Sequence, residues 1–130
     1  MAGIPLNTFK NINRPLTGNN TVIYSTATGL TSIVLLAQAT NVDNADIVHN
    51  VTMKHYKPGV NTNLKPGDEV PGIWETSSTT IIINNALIPP NDSLILLGGK
   101  LVLETFDFIS ASSDGIEVHF VGSVLETANQ

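Results

Sequence analysis

Three histidines, His49, His55 and His119, are the side chains of this sequence best suited to acid–base or metal chemistry near neutral pH. His49 and His55 share one face of a strand-like segment, roughly 20 Å apart along an extended chain, too far to hold one ion. His119 could approach one of them across a sheet, with Asp46 as a carboxylate donor, but isolated strand histidines more often serve as hydrogen-bonded packing residues. A nucleophilic grouping of Ser110, His119 and Asp107 can be drawn, yet no spacing selects it and no Gly-x-Ser-x-Gly elbow is present. Asp68-Glu69 and the Glu104/Asp107 pair have the residue types of a glycosidase, but with aromatics at 5% no sugar-stacking array accompanies them. Gly98-Gly99-Lys100 lacks the upstream glycine and following Ser or Thr of a phosphate loop. Asp43-Asn44-Ala45-Asp46 lacks the spaced ligands and closing Glu of a calcium loop. The expectation is a protein that is not an enzyme, with no catalytic residue, cofactor or metal.

Composition narrows the remaining classes. The 130 residues fit one domain, large enough to bury roughly two thirds of its unfolded surface without a metal or disulfide. There is no cysteine. Charged residues make up 13%, about half the usual share. Polarity comes instead from fourteen Asn, fourteen Thr and nine Ser, which form hydrogen bonds without heavy ionic desolvation and so suit assembly. Net charge is −5 and the six Lys and Arg are scattered, so the clustered cations of a nucleic-acid footprint are missing. The longest apolar run, Ile33 to Ala37, is far short of the roughly 20 residues that span a bilayer. Neither a nucleic acid nor a membrane is expected as a partner, and the N-terminus lacks the blocks of a signal peptide.

The elements that must position these groups read as strands. From Asn91 to Leu125, apolar runs are joined by Gly98-Gly99 and Asp114-Gly115, both read as tight hairpin turns. In Thr21 to Thr26, Val22 and Tyr24 share one face and Ile23 takes the other. Thr28-Gly29 turns into Thr31 to Thr40, whose continuous Ile-Val-Leu-Leu-Ala predicts a strand covered on both faces. A strand over 46–56 follows, then one over Ser78 to Ile88 that Pro89-Pro90 ends. No helical period is sustained. Eight or nine short strands at spacings of about ten residues predict an all-β fold, a single antiparallel β-sandwich of jelly-roll or immunoglobulin-like type. Residues 1–20 read as an extended N-terminal arm and residues 21–130 as the sandwich domain.

The segment from Lys57 to Ser77 is too long for an ordinary connection. Its Pro58-Gly59, Pro66-Gly67 and Pro71-Gly72 dipeptides each suit a type II turn, so the loop should keep a shape. It carries the single tryptophan, Trp74, which either folds back on a sheet edge or anchors a partner. Leu64, Val70, Ile73 and Trp74 in this loop, with Ile4, Leu6 and Phe9 in the arm, are the candidate interaction residues.

The stretches Val22 to Asn41, Ile88 to Thr105 and Val121 to Thr127, with the opening Met1 to Lys10, resemble small virion structural proteins of tailed bacteriophages, above all marine and cyanobacterial contractile-tailed phages. Such proteins often read Pro-Ala-Gly where this chain has Ala27-Thr28-Gly29, and often place Gly before the Asp of the later turn, where this chain has Phe106-Asp107. The resemblance implies a virion-located β-sandwich subunit present in many copies in capsid, neck, tail or baseplate, as a tail component or a capsid decoration. Its partners would be itself, as a homo-oligomer, and other virion proteins. The alternative is a tail-appendage module that binds a host-surface glycan or receptor.

Overall fold

Among the described residues, alternating side chains and frequent turn residues build nine strands, and the pairing of those strands decides where the described candidate residues lie. The computed structural model describes residues 7–58, 64–71 and 78–129. In chain order the strands are β1 (Asn7–Pro15), β2 (Thr21–Ser25), β3 (Leu30–Asn41), β4 (His49–Lys57), β5 (Ser78–Ile88), β6 (Ser93–Ile95), β7 (Leu101–Leu103), β8 (Phe108–Ser113) and β9 (Val118–Ala128). They form two antiparallel sheets packed as a sandwich. One runs β1-β9-β3-β6, with β7 also on β3; the other runs β2-β8-β4-β5.

Strands β6 and β7 lie one after the other along the same flank of β3. Ser93 to Ile95 face Thr40 to Gln38, and Leu101 to Leu103 face Val34 to Ser32. Counted as one interrupted strand, they give each sheet four positions in the order of a jelly roll. The connections cross between the sheets, apart from the link between β6 and β7 and the long β4–β5 hairpin.

That topology corrects two turn expectations. Gly98-Gly99 does not close a hairpin: it lies in a short loop within the interrupted edge strand. Asp114-Gly115 does not close one either, because β8 and β9 belong to different sheets. None of these four residues takes a positive φ. Leu96 and Leu103, on either side of the interruption, are both buried, and that shared burial holds both pieces on β3.

The interior is apolar and continuous. Ile12, Val34, Ala37, Val51, Met53, Leu103, Ile109, Val118, Phe120 and Val124 form its centre. Each large side chain contributes about 1.5–3 kcal/mol when fully covered. Strand β2 departs from simple alternation. A bulge between Val22 and Tyr24 turns Ile23 and Tyr24 into the main core and leaves Val22 on the other side of the sheet. The expected pairing of Val22 with Tyr24 on one face is therefore overturned.

On that far side a second core forms from Val22, Tyr56, Val70 and Phe108, with Leu64 packed against it. The rings of Tyr56 and Phe108 stack with centroids 4.7 Å apart. Residues 64–71 cross this face, held by backbone bonds from Val22 N–H to the Asp68 carbonyl and from Val70 N–H to the Asn20 carbonyl, each 2.8 Å. Lys65-Pro66-Gly67-Asp68 is the type II turn the sequence predicts, with Gly67 at a φ of 100° and Asp68 N–H donating to the Lys65 carbonyl at 2.9 Å. Pro58-Gly59 and Pro71-Gly72 extend beyond the described residues.

Candidate interaction surface

Two clusters of charge sit at opposite ends of the sandwich. At one end the His49 ring lies between two carboxylates, Nε2 2.6 Å from Asp43 Oδ2 and Nδ1 2.6 Å from Asp114 Oδ1. Both ring nitrogens face acceptors, a geometry suited to the imidazolium, which donates from both. The Asp43 bond, then the Asp114 bond, raises the His49 pKa above its ordinary value. The same His49 contact lowers that of Asp43. Burial pushes Asp114 upward, but the bond and charge of His49 outweigh it and the pKa falls. The arrangement ties the β3–β4 connection, the start of β4 and the β8–β9 connection together. Buried Asn41 completes it, donating to the carbonyls of Ile47 and Ile88 at 2.9 Å and accepting from Asp43 N–H at 3.0 Å.

The other end is organised by Asp107, 1% exposed. Its Oδ2 lies 3.1 Å from His55 Nε2 and accepts from Lys57 Nζ and from Glu104 N–H, both at 3.1 Å. Lys57 also pairs with Glu104, and that contact raises the Lys57 pKa. A third polar bridge lies between the sheets. Tyr24 O–H donates to Glu126 Oε2 at 2.5 Å, and its oxygen lies 2.7 Å from Ser32 Oγ. Burial first, then Glu126, drives the Tyr24 pKa upward.

The structure thus separates the groups that sequence reasoning considered for chemistry. His49 and His55 belong to different clusters. His119 is exposed on the outer face of the first sheet, opposite Thr40, and Ser110 is buried on β8. Asp46 lies in the β3–β4 connection and is exposed. Nothing in the sequence marks Asp43 and Asp114 as the partners of His49. Asp114 is 65 positions away in sequence, so only the pairing of β4 with β8 reveals the contact.

The candidate interaction residues also separate. Val70 is 8% exposed and Leu64 is half-buried, both covering their own sheet, so Val70 has little apolar area to offer a neighbour. Phe9 is 73% exposed on β1. Ile4, Leu6, Ile73 and Trp74 lie outside the described residues. The arm stretch contributes β1, whose residues Asn7 to Pro15 pair with Thr127 to His119 at a sheet edge.

Sequence reasoning missed a row of apolar side chains across the outer face of the first sheet. Phe9 stands opposite Leu125, Leu125 opposite Ile33, and Ile33 opposite Val102. Leu36, Val121 and Ile95 extend the apolar area on the same parity. The expectation that β3 is covered on both faces is overturned among the described residues: its inner side is buried, while Leu35 and Leu36 remain exposed. The continuous Ile33–Ala37 run held the signal, because a one-sided strand would alternate.

A cleft at the open edge between β1 and β2 is lined by Lys10, Arg14, Tyr24 and Glu126 among others. Tyr24 is 7% exposed and so presents little ring area there for a sugar to stack on.

The described residues define a jelly-roll β-sandwich with cross-braced ends and a sheet face that they leave open and uncharged. No protein-family profile matches the chain, and no curated protein matches it. Solved structures similar to this chain are so at low identity and with TM-scores below 0.5. A Bacillus endospore appendage protein, from disulfide-linked pili, is 13% identical with a TM-score of 0.47, covering 95% of this chain and 88% of that one. A pentameric capsid protein from metagenomic phage sequences is 16% identical with a TM-score of 0.32, covering 98% of this chain. A chain of the infectious bursal disease virus Gt strain is 12% identical with a TM-score of 0.34, covering 96% of this chain. This chain spans 65% of the phage capsid chain and 34% of the bursal disease virus chain.

Proposed function

We propose that this protein is a non-enzymatic structural subunit of a bacteriophage virion, built into the particle in multiple copies as a tail, neck or capsid-decorating component. The observation that carries the reading is the open outer face of β1-β9-β3-β6/β7, where apolar side chains lie across a rigid sheet with no Asp, Glu, Lys or Arg among them. Contiguous exposed apolar area marks an interaction surface. The jelly roll beneath is an architecture that capsid and lectin domains use. Ion clusters at both ends stiffen the connections, so the face is presented as a fixed shape. Phe9 on β1, with Ile4, Leu6, Ile73 and Trp74, would add contacts to neighbouring copies or other virion proteins. Many copies turn such modest contacts into avidity.

The test is the composition of purified particles from the phage that encodes the chain. Quantitative mass spectrometry should find it at many copies per particle, and Phe9→Ala or Trp74→Ala should lower incorporation while the isolated protein stays folded. Absence from particles, together with saturable binding to host-surface glycans, would replace this reading with the receptor-binding alternative.

A further inference from the structure

We infer that the outer face of β1-β9-β3-β6/β7 docks the same face of a second copy of this chain about a two-fold axis, sheet against sheet. The inference deepens the structural-subunit reading and rests on it. It starts from β3. The Ile33–Ala37 run has the composition of a strand buried on both sides, yet among the described residues only one side is covered, leaving Leu35 and Leu36 exposed. The row Phe9–Leu125–Ile33–Val102 continues the uncovered area to both edges of the sheet. The missing cover must come from outside the described residues.

Charge selects the occupant. The chain carries a net −5, so two copies repel wherever their carboxylates meet. Every described Asp and Glu lies in a connection between strands, except Glu126, which turns inward to Tyr24. Lys10 and Arg14 share the inward parity of buried Ile12. The outward positions of β9 are His119, Val121, Ser123, Leu125 and Thr127, and those of β3 opposite them are Thr40, Gln38, Leu36, Ile33 and Thr31. A like-charged molecule approaches this face without opposing a carboxylate, and its Thr, Ser and Gln groups can hydrogen-bond to their own kind. A cationic partner would find its complement in the acidic connections instead.

Geometry agrees. Edge-to-edge pairing is hindered on both flanks of the sheet: β1 carries Pro15 and the inward-pointing Lys10 and Arg14, and the opposite edge is broken between β6 and β7. Four strand positions about 4.8 Å apart, along the 11 residues of β9, give a face on the order of 600 Å². That approaches the roughly 800 Å² each partner gives to a stable interface. An isologous contact closes on itself, so it yields a discrete dimer and not a fibre.

The test uses the full chain in sedimentation velocity at rising concentration, with Ile33→Glu and Ile33→Lys as variants. The wild type should sediment as a dimer. Each variant alone should lose roughly tenfold or more in self-affinity, through lost apolar burial and like-charge opposition across the axis. Mixing the two variants should restore a dimer, which shows that both are folded and that the faces meet. A variant that dimerises as the wild type does, or a mixture that stays monomeric beside a dimeric wild type, overturns the docking. A wild type that is monomeric at every concentration yet abundant in particles also overturns it, while leaving the structural-subunit reading in place. Only absence from particles removes that reading.

Discussion

The carbonyl oxygen of Leu36 lies 3.0 Å from the point that a β-carbon on Gly122 would occupy. Phe120 Cε1 stands equally close to that point and Ile12 Cδ1 is 3.5 Å away. Strand β3 bulges at this level, between Val34 and Leu36 where it pairs with β9, and brings its backbone against β9. The central pair of the first sheet closes because position 122 has no side chain. Gly122→Ala should therefore destabilise the fold by about 1–3 kcal/mol, since a backbone oxygen inside a ladder has little room to retreat. Urea unfolding followed by far-ultraviolet circular dichroism checks it; an unchanged midpoint would mean that the bulge relaxes freely.

The His49 clamp predicts a stability profile with two limbs. His49 has a raised pKa when folded, so its contribution is complete below about pH 6.5 and is lost as pH rises through the folded value. Asp43 and Asp114 have lowered values, so theirs is complete above about pH 4 and is lost on further acidification. The clamp is strongest between those limits. Melting temperatures of the wild type should fall above pH 6.5, and His49→Gln should flatten that alkaline limb. Equal slopes in the two proteins would show that the imidazolium does not brace this end.

Asp107 organises the opposite end from a buried position. Asp107→Ala leaves His55 and the Glu104 N–H without their acceptor and costs Lys57 one of its partners. Because Lys57 is half in solvent, the expected loss is about 2–3 kcal/mol, below that of a fully buried pair. Chemical denaturation measures it, and Asp107→Asn, which keeps the shape and one acceptor oxygen, should lose less.

Phe106 has a φ of 74°, a left-handed conformation that a bulky residue adopts only under strain. Phe106→Gly should stabilise the chain by about 1 kcal/mol, the relieved strain exceeding the entropy that glycine adds to the unfolded state. A lowered melting temperature would mean that the half-buried ring contributes more than its backbone costs.

Stacked on Tyr56 and packed with Val22 and Val70, Phe108 holds residues 64–71 against the second sheet. Phe108→Ala should cost about 3–5 kcal/mol. It should also open the Lys65–Glu69 stretch to a Glu-specific protease that cuts after Glu69, an outcome that limited proteolysis with peptide mapping reads directly.

Much of this architecture was legible in the sequence, and the limits of that reading have a physical cause. Strand number, the Pro89-Pro90 stop and the Lys65–Asp68 turn depend on local backbone preferences, which neighbouring residues reveal. The sequence does not distinguish the roles of Gly98-Gly99 and Asp114-Gly115 from hairpins, because a turn that returns to its own sheet and one that crosses to the other use the same residues. Only distant pairing separates them: Leu103 with Ser32 in one case, Val118 with Asn41 in the other. The Val22/Tyr24 bulge was hidden for a similar reason, since its cause lies in the register against Ser110 and Ile109. The apolar row across Phe9, Leu125, Ile33 and Val102 joins four strands and leaves no periodic trace in any one of them.

The interruption between β6 and β7 has a practical side. Gly98 and Gly99 are exposed, and a β-carbon added at either would meet no atom within 4 Å. A foreign peptide spliced between them would leave from an exposed loop at the sheet edge. The molecule thereby offers a ready insertion point for a tag or antigen, where extra length need not disturb folding.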